Sequence, residues 1–256
     1  MNSKVLALSI IILFSAVSVV SAEENTLTAS QIMKNYDARL IPMDMKAEMV
    51  MNLIDDQGRT RSREVRTYRI GDDKQIMWFL QPAEVKGSSF LRLSSDDRED
   101  DMWIYLPAFE KVRRIASHAK NGNFMGSDFT YEDMGDWKLD DYTFLLRGED
   151  KFDNVDCWVI ESAPKEKVVT DYGKSVFWIW KSEYYLAKKE LYDKKGTLRK
   201  IMTVTAKKLG SYWVMEKIVM SDLKRGGRTE LLFKNTELDT GISPDLFKSS
   251  ELTKIH

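Results

Sequence analysis

The chain has 256 residues, and its 39 Lys and Arg against 40 Asp and Glu leave a formal net charge of −1. That balance supplies no basic field for nucleic acid, and a lone Cys157 excludes an internal disulfide framework. Seven Trp, 10 Tyr and 11 Phe stand beside 13 Met, so the 43% apolar content is rich in large, adaptable side chains that either fill a core or line a pocket.

The first 22 residues read as an export signal. Lys4 gives a positive start, residues 5–20 are almost wholly apolar, and Val20 and Ala22 place small residues at −3 and −1 ahead of Glu23. The run is on the short side for a bilayer span, so an uncleaved anchor is the lesser alternative. Residues 23–256 are expected to form a single exported domain.

Residues 30–40 predict a helix, with Thr28 or Ser30 as cap and Pro42 as stop. From residue 44 the pattern turns to period two. Met45, Ala47, Met49, Met51 and Leu53 form the apolar face of a strand, and residues 61–70, 75–80, 88–93, 102–106 and 111–115 continue a meander. The second half repeats it over 142–147, 156–161, 176–181, 184–192, 197–206, 212–221 and 228–235, with turns such as Asp193-Lys194-Lys195-Gly196. Strands without intervening helices imply one large antiparallel sheet that must curl. Residues 116–141 break the pattern, and Ser127 or Asp128 is a candidate cap for a short helix reaching Met134. Near the end, Ser243 and Pro244 predict another short helix with Leu246 and Phe247 facing inward.

Catalytic constellations are scarce, and no enzyme is expected. His118 and His256 are the two histidines, His118 lies in a polar loop without a nucleophile elbow, and neither paired zinc ligands nor a phosphate loop is present. No cofactor or metal site is predicted. The acids of residues 96–101 read as a solvated turn. Asp128, Glu132 and Asp133 are a weak candidate for acid–base work, but capping and pairing with Arg113 or Arg114 accounts for them more simply. Cys157 lies in an apolar stretch and reads as an inert buried thiol.

Residues 75–80, 102–106 and 176–180 are apolar on both strand faces, where a sheet with one wet face alternates. Both faces must therefore be covered, by helices, by the curl of the sheet or by a ligand. Trp and Met specify a packed core poorly and suit a deformable cavity, which makes an apolar binding space the favoured reading over a filled core.

The stretch Trp103-Ile104-Tyr105-Leu106-Pro107-Ala108, the run Lys111-Val112-Arg113-Arg114-Ile115, and above all residues 126–134, GSDFTYEDM, resemble the outer membrane lipoprotein-sorting protein family, as does the closing segment 242–247. The resemblance implies a LolA/LppX-like fold: mainly β with a few helices, an unclosed, strongly curved antiparallel half-barrel under an α-helical lid. It also implies a periplasmic carrier, expected as a monomer, that shields the acyl chains of a lipid or lipoprotein and works with an inner-membrane exporter of the resistance-nodulation-division (RND) type. An envelope ligand-sensing module on the same fold is the alternative. On this reading Met49, Met51, Trp78, Trp103, Tyr105, Trp178 and Trp180 are candidates for the cavity wall, and Phe124, Met125, Phe129 and Met134 for the lid.

Overall fold

The computed structural model describes residues 27–95 and 98–256, so the expected signal segment 1–22 lies outside the described residues. Helix α1 (Ala29–Asp37) opens the described chain. Thr28 caps it through a reciprocal pair, accepting from the Gln31 amide at 3.3 Å while Gln31 Oε1 accepts from the Thr28 amide at 2.8 Å. The buried face of α1 is Ala29, Ile32 and Met33.

Thirteen strands follow: β1 (Asp44–Ile54), β2 (Thr60–Ile70), β3 (Lys74–Gln81), β4 (Ser89–Leu93), β5 (Asp101–Leu106), β6 (Lys111–Arg114), β7 (Tyr142–Phe152), β8 (Val155–Pro164), β9 (Tyr172–Trp180), β10 (Leu186–Asp193), β11 (Leu198–Leu209), β12 (Tyr212–Asp222) and β13 (Gly227–Leu238). Each predicted strand corresponds to one of these. All thirteen form a single antiparallel sheet in the order β6-β5-β4-β3-β2-β1-β13-β12-β11-β10-β9-β8-β7. β1 pairs with β13, placing Met49 opposite Phe233 and Met51 opposite Leu231, and this junction joins the two meanders.

The two edge strands, β6 and β7, are consecutive in sequence yet lie at opposite edges of an unclosed sheet. The connection between them must therefore travel from one edge to the other, and it does so across the concave face. We call residues 115–141 the plug. It holds 3-10 turns at Ser117–Ala119, Phe124–Gly126 and Leu139–Asp141.

Alternation sorts the strand residues onto two faces. Met49, Met51, Leu53, Val65, Met77, Phe79, Phe90, Met102, Phe177, Ile179, Leu191, Val204, Ile218, Met220 and Leu231 belong to one concave cluster with Ile32 and Met33 of α1 and Phe124 and Phe129 of the plug. Ile76, Trp78 and Leu91, one residue out of phase with Met77, Phe79 and Phe90, face the convex side. The C-terminal segment covers them there with Phe247 and Leu252, and Ser89 Oγ donates to the Leu252 carbonyl at 2.6 Å. The predicted helix at 243–247 is a 3-10 turn, Pro244–Leu246, with Ser243 accepting from the Asp245 amide and Phe247 buried. A second 3-10 turn, Ser249–Thr253, completes this strap. Each meander strand from β3 to β5 is thus two-sided because two different segments pack on it.

Candidate functional site

The concave face is where a guest would sit, and the plug occupies it. Asn123 and Thr130 form a bridge, with the Phe124 amide donating to the Phe129 carbonyl at 2.8 Å, so residues 123–130 fold into a tight loop. Met125 (φ 50°) and Gly126 (φ 73°) turn its tip in the left-handed region, where glycine is unstrained and methionine is uncommon. The loop drives the Phe124 ring into the sheet, with ring centroids 5.0 Å from Phe90, 5.6 Å from Tyr131 and 6.2 Å from Phe79. Further along, Trp137 stacks on Tyr142 at 5.1 Å and meets Phe177 at 5.3 Å.

Polar contacts stitch the plug to both meanders. The Ser127 hydroxyl turns back to the Phe124 carbonyl at 2.6 Å. Asp128 accepts from Thr229 Oγ1 of β13 at 2.7 Å, and its amide donates to the same hydroxyl at 2.9 Å. Arg225, in the β12–β13 turn, donates to the Ser127 carbonyl at 2.9 Å and lies 3.2 Å from Asp128 Oδ1. Asp133 is held by three donors: the Thr130 amide at 2.8 Å, Tyr172 Oη at 2.9 Å and Lys200 Nζ at 2.8 Å. Both side chains of the Asp133–Lys200 pair are buried, at 6% and 7% exposure. A buried pair of this kind adds little net stability but makes loss of either partner expensive. Thr170 Oγ1 donates to Glu132, and burial pushes the Glu132 carboxyl above its usual range. Burial, and then the neighbouring Asp133, push the Tyr172 phenol up.

These contacts settle the three acids that sequence singled out. The helix expected from residue 127 or 128 is absent; instead Thr130 caps a single turn, its Oγ1 accepting from the Asp133 amide at 3.1 Å while Asp133 returns the bond. Nor do Arg113 and Arg114 pair with them: Arg113 lies over Phe109 and Arg114 bonds Asp101. All three carboxylates tie the plug to neighbouring segments, Asp128 to Thr229, Glu132 to Thr170 and Asp133 to Lys200. His118 is an exposed turn residue, and Cys157 is buried with its thiol pushed up by burial.

The acidic loop is less solvated than expected. Residues 96 and 97 lie outside the described residues, but Asp100 is buried against Arg92 at 3.3 Å and also accepts from the Asp136 amide at 2.7 Å. Arg98 and Arg114 hold the Asp101 carboxyl down at about 2.

Of the candidate wall residues, Met49 and Met51 line the concave face, and Trp180 packs at its rim against Tyr185 and Trp213, with centroids 5.6 and 5.1 Å away. Trp78, Trp103, Tyr105 and Trp178 do not line it. The first three face the convex side beneath the C-terminal strap. Trp178 points outward with Lys188, whose ammonium lies 4.1 Å from its ring centroid, and donates to Asp150 at 3.0 Å. Parity was undecidable where both faces are apolar, and the strap supplies the missing cover. Phe124, Met125, Phe129 and Met134 all belong to the plug and pack in or against the concave cluster.

The favoured expectation of an open apolar space is corrected. Ile32, Met33, Met51, Phe90 and Phe124 have no exposure, so the protein's own side chains fill the middle of the concave face. What opens to solvent is a cleft of about 330 Å³ beside the plug, lined mostly by charged side chains such as Lys120, Glu132, Lys138 and Lys167, with Tyr142 and Val169 among them.

Sequence reasoning missed two inward lysines. Lys200 shares the inward phase of Met202 and Val204 on β11, and Lys189 that of Leu191 on β10. Lys189 stands directly opposite Phe177 and Met202, its ammonium 4.8 Å from the Phe177 centroid. Burial pushes its pKa down, and among the described residues it forms neither a hydrogen bond nor an ion pair. A lysine in the apolar phase of a strand was the available signal.

A family model described as an uncharacterized protein matches residues 71–254. A structure from Vibrio parahaemolyticus, described as a candidate outer membrane lipoprotein-sorting protein domain, is 34% identical over 88% of this chain and 98% of its own, with a TM-score of 0.81. A DUF1329 family protein from Desulfovibrio piger is 30% identical over 88% and 97%, with a TM-score of 0.82. A LolA superfamily protein from Nitrosomonas europaea, at 19% identity, 88% and 100% coverage and a TM-score of 0.69, shares the fold. No curated protein matches the chain. With two relatives at 30% identity or more spanned almost end to end, the chain belongs to the outer membrane lipoprotein-sorting protein family.

Proposed function

We propose that this protein carries the acyl chains of a lipid or lipoprotein, exchanging its plug for the guest. The observation that supports this is the nature of what covers the concave face: one short helix and an irregular crossover, laid over a continuous apolar wall of Met49, Met51, Met77, Phe79, Phe90 and Phe177. A second sheet or helix layer would make a permanent core. A crossover tied by a handful of side chains can leave as a unit.

Burying a methylene is worth about 0.8 kcal/mol, so a 16-carbon chain gains roughly 12 kcal/mol in an apolar site. A carrier holding all of that would not release its cargo. Here the guest must first displace Phe124, Phe129, Tyr131 and Trp137 from the same wall, and that opposing term brings the net affinity into a range that permits handover. On this reading residues 1–22 direct export and are removed, residues 23–256 act as one monomeric domain in the periplasm, and an RND-type exporter in the inner membrane is the cargo's source or destination. Met49, Met51, Trp180 and the plug residues Phe124, Met125, Phe129 and Met134 are the contacts exchanged.

Native mass spectrometry of gently purified protein, paired with titration of a pyrene-labelled acyl lipid, tests the proposal. Co-purifying lipid or saturable uptake is expected. Protein that is consistently empty and ignores the probe refutes it.

A further inference from the structure

The inward lysines give the guest a chemical class, resting on the carrier reading above. Lys189 and Lys200 lie on adjacent strands of the concave face; Lys200 is opposite Leu191 and Lys189 opposite Met202, which makes the two lysines diagonal neighbours, about 7–8 Å apart by sheet geometry. Lys200 is occupied by the plug's Asp133, which also accepts from Tyr172 Oη at 2.9 Å. Lys189 is not occupied at all: it rests over Phe177 and feels only the more distant charges of Asp133 and Glu132. The remaining inward charges of this region are tied off, Asp128 by Arg225 and Thr229 and Arg92 by Asp100.

Leaving a lysine in an apolar wall without an anion is unfavourable, and the unfavourable state worsens once the plug takes Asp133 away from Lys200. Removing the plug uncovers, in one place, two ammonium groups and a phenol hydroxyl aimed at the space that Asp133 held, bordered by the apolar wall. We infer that Lys189, Lys200 and Tyr172 form an anion subsite for the headgroup of an acidic acyl lipid, for which the plug's Asp133 stands in while its aromatic rings stand in for the chains. The shared chemistry is a singly charged oxyanion attached to an acyl chain, either a phosphate diester or a carboxylate.

The test compares pyrene-labelled phosphatidylglycerol with diacylglycerol of identical chains, and palmitate with its methyl ester, on the full-length mature protein. Wild type is expected to bind the acidic member of each pair at least about tenfold more tightly, the scale of a charge-assisted hydrogen bond in a desolvated site. A preference in one pair alone assigns the subsite to phosphate or to carboxylate. Lys189→Gln, which breaks no ion pair, should cut the preference about tenfold while leaving the affinity for uncharged diacylglycerol unchanged. Lys195→Gln, in an exposed turn, should leave the preference intact and so controls for surface charge. Equal binding of the acidic and neutral lipids, or a Lys189→Gln preference equal to wild type, overturns the anion subsite and leaves the carrier reading standing. Failure to bind any of the four lipids overturns the carrier reading itself.

Discussion

Replacing Phe124 by Ala separates a displaceable plug from a permanent core. The ring has no exposure and contacts Phe79, Phe90 and Tyr131 at centroid distances of 6.2, 5.0 and 5.6 Å. Truncating a buried phenylalanine costs about 3–5 kcal/mol through lost transfer energy and the void left behind. Phe124 is part of the plug and not of the wall, so in an exchange mechanism that loss falls on the plug-docked state alone. Each 1.4 kcal/mol is a factor of ten in the balance between docked plug and bound guest. Affinity for a pyrene-labelled phosphatidylglycerol should therefore rise by roughly 10²- to 10⁴-fold at most, levelling off once the docked state no longer predominates. Hydrogen exchange across residues 120–135 should accelerate in parallel, while the amides of β1, β2 and β13 stay protected. A plug that exchanges faster with no gain in affinity would refute the exchange mechanism. So would a variant whose whole sheet unfolds with the plug.

Other consequences are equally specific. Asp133→Ala leaves Lys200 buried without its partner, and plug docking should weaken by about 3–5 kcal/mol, read as faster exchange over residues 127–135; Asp133→Asn should recover part of that. Trp78→Ala should lower global stability by about 3–5 kcal/mol in denaturant melts yet leave lipid affinity unchanged, since the ring packs with Tyr68 and His256 under the convex-side strap. Burial raises the folded-state pKa of Glu132 above its unfolded value, so its contribution is present below the unfolded value and is lost as pH rises through the folded one. Glu132→Gln should accordingly raise Tm at pH 7.5, and the difference should vanish near pH 4.

Much of the fold was legible because the strands carry their own punctuation. Asp55-Asp56-Gln57-Gly58 and Asp193-Lys194-Lys195-Gly196 became the β1–β2 and β10–β11 turns, and the alternation of Ala47, Met49, Met51 and Leu53 gave the inward phase of β1 without ambiguity. Thr28, one of the two candidate caps, likewise marked the start of α1. The site was harder to read because its determinants are long-range. Nothing local to Trp78 or Trp103 announces that residues 247–252 will lie over them, so their phase could not be assigned. The plug's shape follows from sheet order: only when β6 and β7 are known to be opposite edges does residue 115 have to cross the concave face to reach 142. Ser127 and Asp128 were the local cap candidates, whereas the cap is Thr130, and Asp133's principal partner, Lys200, is 67 residues away. An expected cavity became a filled face for the same reason, since the filler is the chain's own crossover.

The displaceable plug is tested most directly by tying it down. Asp128 and Thr229 hydrogen-bond at 2.7 Å between plug and β13, so cysteines at both positions, in a Cys157→Ser background, join the two when oxidised. Lipid uptake is then measured on the same sample before and after reduction. The account predicts that the oxidised protein excludes pyrene-labelled phosphatidylglycerol and that reduction restores saturable binding. Equal uptake by the tethered and reduced forms would contradict it, because the guest would then be entering without the plug moving.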